Sequence, residues 1–201
     1  MTPEIALLCF VAALLELDTT YAGQFQLSRG IMAGPLLSLI TGDWMAGVQV
    51  GVFSELLFAD ISPLGGFLPP STTICCAISL ALYAAGIPLH LAFFIAVIGS
   101  ILVAHVEKWM RKTRVKSLAR WEQRVLQKPN YINRVILKNL LTSFLMNFLL
   151  LSFYIWAGIQ LLTQLVPLVP HRADIACQFA YMAVPWLGLA ALLPEFRFKR
   201  K

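Results

Sequence analysis

Charged side chains are scarce in this sequence. Only 13% of its 201 residues are Asp, Glu, Lys or Arg, while 59% are hydrophobic, against about 25% charged and roughly 45–50% apolar in a soluble domain. So few charges cannot coat a water-soluble globule, which excludes soluble and disordered classes and makes an all-α, polytopic membrane protein the expectation. Cysteine is also sparse: Cys9, Cys75, Cys76 and Cys177 lie in apolar stretches without zinc-ligand spacing, so neither a disulfide framework nor a metal site is indicated. The histidines His90, His105 and His171 have no legible nucleophile, base and orienting group around them, so no catalytic centre is assigned and no cofactor is expected. There is no convincing internal repeat and no low-complexity tract. The start, Met1-Thr2-Pro3-Glu4, lacks the basic residues of a secretory leader and is expected to belong to the mature protein.

The charge that is present is unevenly placed. Ten of the 16 basic residues fall between Lys108 and Lys138, four more close the chain at Arg197, Lys199, Arg200 and Lys201, and only Arg29 and Arg172 lie elsewhere. Lys and Arg near span ends remain cytoplasmic, so the segment 108–138 and the C-terminal tail are both expected inside, with an even number of crossings between them. The apolar runs Leu140 to Val169 and Ile175 to Leu193 supply that out-and-back pair, with His171 and Arg172 outside. Upstream, Phe67 to Ile87 and Leu89 to Val106 form another pair, divided by Gly86-Ile87-Pro88. The basic stretch is readable as a solvated loop, an interfacial helix on anionic lipid or a docking surface for a cytoplasmic partner. A nucleic-acid role is less economical than membrane topology.

The first 66 residues differ. The apolar runs Ile5 to Leu17 and Ile31 to Thr41 are too short to cross a bilayer, and Trp44 to Ile61 carries Glu55. With their glycine and proline punctuation, they are expected to form broken or re-entrant helices, the pattern that points to a transporter's binding region. The expected organisation is a single membrane domain over 1–201: a broken-helix region at 1–66, a hairpin at 67–107, a basic cytoplasmic loop at 108–138, a hairpin at 139–194 and a basic tail at 195–201.

A carboxylate within an apolar stretch is costly, by about 2.5 kcal/mol or more at a helix centre. Glu55 is therefore expected either to accept hydrogen bonds from the hydroxyls of a polar solute, helped by Gln49 or Ser54, or to be a structural carboxylate, protonated or paired with a donor such as Gln24 or Arg29. Ser71 is a candidate N-cap after Gly65-Gly66-Phe67-Leu68-Pro69-Pro70, at a helix start whose free N–H groups either face a ligand or are simply capped. Asp43, after Thr41-Gly42, reads chiefly as a turn or cap residue. The candidate solute-binding set is Glu55, Asp43, Gln49 and Ser71.

The run Leu17-Asp18, Phe25-Gln26-Leu27-Ser28-Arg29, Gly42-Asp43-Trp44-Met45-Ala46-Gly47 and Gly51-Val52-Phe53-Ser54-Glu55, continuing to Gly65 and Pro70, resembles the membrane subunit IIC of the mannose/fructose/sorbose-type sugar phosphotransferase system. That family's pattern has an Asp after the first helix, then F-x-x-x-R, G-D-x-x-x-G and G-G-x-x-E. The resemblance implies an inner-membrane sugar transporter subunit that works with a IID membrane partner and with cytoplasmic IIA and IIB phosphocarriers. Phosphoryl transfer to a hexose-type sugar would then occur on IIB rather than on this chain. It implies that Glu55 matches the family's binding-region glutamate and that Asp18, Arg29, Gly51, Gly65 and Pro70 are structural or loop positions. A homo-oligomer is compatible with it. The sequence departs from the pattern at Val52 and Ser71, and the family usually continues for another hairpin, so the alternative expectation is a diverged, non-transporting regulatory or scaffold subunit.

Overall fold

The computed structural model describes residues 2–19, 25–59, 69–127 and 131–196, and the side chains within them except those of 114–127, 131 and 193–196. Among the described residues the chain is helical, with no strand: α1 (Pro3–Leu17), α2 (Gly30–Thr41), α3 (Trp44–Phe58), α4 (Thr72–Ala84), α5 (Leu89–Gln127), α6 (Tyr131–Leu165) and α7 (His171–Phe196). At 1.5 Å per residue the first four span only about 18–22 Å, less than a hydrocarbon core of about 30 Å. The last three contain stretches long and apolar enough to cross: Leu89–Thr113, Ile132–Leu168 and His171–Leu192.

Local chemistry sets the ends of the short helices. Gly42, at φ +81°, closes α2 in the left-handed region, where a side chain would be strained. Asp43 then caps α3, its Oδ1 accepting from the Ala46 N–H at 3.1 Å. Pro35 lies inside α2 without ending it. Gly86, at φ +90°, and Pro88 separate α4 from α5, where the sequence places the break.

The α2–α3 pair is held by two facing stripes of small residues, each spaced by four so that it lies on one helix face. Gly30, Gly34 and Ser38 of α2 meet Gly47 and Gly51 of α3. A Cβ on Gly30 would lie 2.6 Å from the Gly51 carbonyl oxygen, and one on Gly34 would lie 2.8 Å from the Gly51 Cα. Backbones this close gain packing that larger residues would forbid. Glu55 extends the Gly47–Gly51 stripe by one more step of four and so emerges at the open end of this pair.

At the centre sits α4. Ten of its thirteen residues are buried, and it packs against α1, α2, α3, α5 and α6. Small side chains such as Cys75, Cys76, Ala77 and Ala81 permit this approach from many sides. The exterior is apolar: on α6, Leu137, Leu141, Leu145, Leu149 and Phe153 form an exposed stripe, and on α7 Phe179, Met182 and Trp186 are exposed. In water such a surface would be a liability; against acyl chains it is the expected outside of a helical membrane protein.

The short apolar runs near the N-terminus become α1, α2 and α3 with nearly the expected limits. Two other features needed the structure. Of the alternatives open for the basic segment, it takes a helical form: α5 continues to Gln127 and α6 begins at Tyr131, since Lys, Arg, Leu and Glu are good helix formers and charge alone does not end a helix. The tail 197–201 and residues 128–130 lie outside the described residues. The pair α6–α7 is a hairpin in connectivity but not in packing. Joined by the 3-10 turn Val166–Leu168, the two helices among the described residues share only α5 as a neighbour, α6 packing also on α1 and α4, and α7 also on α3.

Candidate functional site

Four helix ends converge on one polar cluster. The Glu55 carboxylate, near the C-terminal end of α3, is bound through both oxygens: Oε1 accepts from Arg29 Nη1 at 2.6 Å, and Oε2 accepts from the Gly30 N–H at 2.8 Å. Gly30 is the first residue of α2, whose unpaired N–H groups and positive dipole end suit an anion. Of the two sequence readings of Glu55, the pairing with Arg29 is observed, and Gln24 lies outside the described residues. The pair is not sealed, because the Glu55 side chain is 18% exposed and that of Arg29 is 60% exposed.

The segment that carries Arg29 is fastened on two sides. Asp18, just after α1, accepts from the Phe25 N–H through Oδ1 at 2.9 Å and from the Leu27 N–H through Oδ2 at 2.8 Å. The Ser28 carbonyl accepts from the Thr72 hydroxyl at 3.1 Å and the Thr73 hydroxyl at 2.5 Å. Gln26 takes a left-handed turn at φ +61° between these anchors.

The start of α4 lies beside the same cluster. Ser71 caps α4, with Oγ 3.4 Å from the Ile74 N–H, and donates its own proton to Glu16 Oε2 at 2.6 Å. Glu16 is buried near the end of α1, with Glu107 and Arg111 of α5 within electrostatic reach. Those two are themselves paired at 2.6 Å. Pro70 is buried immediately before the cap, and Gly65 lies outside the described residues.

The remaining candidates sit elsewhere. Asp43 is at the opposite end of α3, where besides capping the helix it accepts from the Tyr83 hydroxyl at 2.9 Å. Gln49 is exposed part-way along α3. Ser54 is buried and donates to the Gly51 carbonyl at 3.0 Å. Gly51 is a contact residue within α3, not a loop residue. Thus Glu55, Arg29, Asp18 and Ser71 come together at one level of the molecule, whereas Asp43 does not join them.

Sequence reasoning missed Glu16, Thr72, Thr73 and the His90–Asp174 pair, in which Nε2 of His90 lies 2.7 Å from Oδ1 of Asp174. Glu16 was detectable by the argument applied to Glu55, as a carboxylate at the end of an apolar helix that must find a donor. The partner of His90 is 84 residues away, and no local signal announces it.

A cluster of this kind among short apolar helices fits a solute-handling membrane protein, and comparison with known families decides which. Residues 3–196 match the family described as the PTS system sorbose-specific IIC component. The chain belongs to this family. It is also similar to an Escherichia coli (strain K12) protein provisionally named N-acetylgalactosamine permease IIC component 2, with 30% identity over 70 residues, which are 35% of this chain and 50% of the relative. That match therefore spans half the relative's length.

Proposed function

We propose that this IIC chain is the sugar-translocating subunit of a phosphoenolpyruvate-dependent phosphotransferase system, with a hexose-type sugar accepted beside Glu55 and phosphorylated by a separate IIB subunit. Its partners in this reading are a IID-type membrane subunit and cytoplasmic IIA and IIB phosphocarriers, in the bacterial inner membrane. The observation that carries it is the half-open Glu55–Arg29 pair at the meeting of helix ends. A carboxylate accepts from sugar hydroxyls, and a pair that is not sealed leaves it within reach of a polyhydroxy solute.

The placement of the cluster supports the same reading. Its neighbours Glu107 and Arg111 lie on α5 where the basic segment begins. By the positive-inside rule that end and the C-terminal tail are cytoplasmic, where a soluble phosphocarrier would meet the sugar. Ser71 contributes to this site through its hydroxyl, while Gln49 lies farther along α3, on the route toward the opposite end. Asp43 serves as a helix cap.

The test is phosphorylation of sorbose, mannose, fructose and N-acetylgalactosamine by vesicles carrying this chain, its IID partner, IIA and IIB. Glu55→Ala is expected to lower the rate with the preferred sugar about 10- to 100-fold, corresponding to one or two lost hydrogen bonds to a charged group. Unchanged phosphorylation would defeat the proposal. No phosphorylation of any sugar by the intact complex would favour the non-transporting scaffold instead.

A further inference from the structure

We propose that Arg29 is a resident competitor for Glu55: its guanidinium occupies the carboxylate oxygen that a neutral sugar needs, and sugar binds by displacing it. The inference rests on the reading of Glu55 as the sugar's acceptor. The two bonds to Glu55 differ in how easily they can be released. Oε2 is held by a backbone N–H at the start of α2, and α2 is fixed to α3 by the Gly30–Gly51 and Gly34–Gly47 contacts. Releasing that oxygen would require the helix pair to separate.

Among the described residues, Oε1 is held by one side chain, 60% exposed, on a long flexible stem. The Arg29 backbone stays in place during an exchange because the segment before it is fastened to Asp18, Thr72 and Thr73. The guanidinium can therefore swing away while the rest of the cluster keeps its geometry. A half-open pair whose guanidinium end reaches solvent is partly screened by salt, whereas hydrogen bonds from a neutral sugar are not screened in this way. Higher ionic strength thus weakens the competitor and leaves the ligand alone. The affinity for a neutral sugar should rise with salt, the reverse of a site that uses Arg29 as an attractive ligand.

The experiment is calorimetric titration of the complete membrane complex in nanodiscs with sorbose, mannose, fructose and N-acetylgalactosamine, at low and high sodium chloride. In the wild type, affinity is expected to increase about two- to fivefold with salt, the range an exposed ion pair allows. Arg29→Gln is expected to bind about two- to fivefold more tightly at low salt and to show no salt dependence. If Arg29→Gln does not yield a folded complex, the salt series on the wild type and on Arg29→Lys, which keeps the charge and should keep the dependence, carries the test. A salt-independent wild type, or weaker binding by a folded Arg29→Gln, overturns the competitor while leaving the acceptor role of Glu55 intact, provided Glu55→Gln weakens binding. Undiminished binding by Glu55→Gln, or no binding of any of these sugars to the wild type, overturns both.

Discussion

Asp43 and Glu55 occupy opposite ends of the same helix, separated by about 18 Å of axial rise over twelve residues. Both are acidic residues in an apolar region, yet each is satisfied locally by different partners, Asp43 by Ala46 and Tyr83 and Glu55 by Arg29 and Gly30. One sugar-sized ligand cannot reach both.

Asp43→Ala is therefore expected to act on stability. It removes a helix cap, a loss of typically about 1 kcal/mol, and leaves the Tyr83 hydroxyl without its acceptor. Thermal unfolding in detergent should show a lowered midpoint, with sugar affinity within about twofold of the wild type, well inside a 1 kcal/mol effect. A large loss of affinity at unchanged midpoint would return Asp43 to the binding site.

The glycines separate into two kinds. Gly51→Ala places a methyl group against the Gly30 carbonyl, which belongs to backbone and cannot turn aside; overpacking of this sort costs about 1–3 kcal/mol or more. Gly42→Ala meets nothing within 4 Å but must hold φ +81°, a strain of about 1–3 kcal/mol. The expected distinction lies in sugar binding: Gly51→Ala shifts α2 against α3 and weakens it, while Gly42→Ala, at the far end, leaves it unchanged. Matched unfolding and binding measurements on the two variants check this.

The helix breaks at Gly42-Asp43 and Gly86-Ile87-Pro88 were legible from the sequence because their determinants are local and punctuate the chain wherever the tertiary structure puts it, whereas the run Phe67 to Ile87, expected to cross, holds among the described residues only the thirteen-residue α4, too short to do so. The run Ile31 to Thr41 reappears as α2 with one residue added. The partners of Glu55 were only partly legible. Arg29 stood beside Gln24 as a candidate, and choosing between them requires the course of the segment that Asp18 and Ser28 anchor. Least legible was the separation of α6 from α7. In lipid, apolar faces have no hydrophobic preference for one another over acyl chains, so adjacency along the chain does not fix which helices touch.

Glu16 and Ser71 join α1 to α4 through one short hydrogen bond at a buried carboxylate. Glu16→Gln keeps an acceptor for the Ser71 proton and is expected to be tolerated within about 1 kcal/mol, whereas Glu16→Ala removes the acceptor of the half-buried Ser71 hydroxyl and is expected to cost about 1–2 kcal/mol. Adding Ser71→Ala to Glu16→Ala should cost less than the sum of the two single changes. Additive losses in such a cycle would mean that the two residues act independently.

Because α7 does not pack on α6 among the described residues, its position depends on α3 and α5. Gly188 sits against the α3 backbone, where a Cβ would lie 2.6 Å from the Leu56 carbonyl oxygen, while Tyr181 packs between Phe53 and Phe93 with ring centroids 4.8 and 5.2 Å away. Gly188→Ala must push α7 outward, since the obstacle is backbone. Gly158→Ala, on α6, meets only the tip of Leu82 at 3.2 Å, a flexible group that can turn aside. Gly188→Ala is thus expected to lower stability by about 1–3 kcal/mol and to speed protease cleavage in the 166–170 turn, where a loosened α7 would first expose the chain. Gly158→Ala should stay within about 0.5 kcal/mol of the wild type, as substitutions without a steric obstacle do. Equal cleavage rates in the two variants would mean that α7 draws its hold from elsewhere, and the His90–Asp174 pair at its first turn would be the next contact to break.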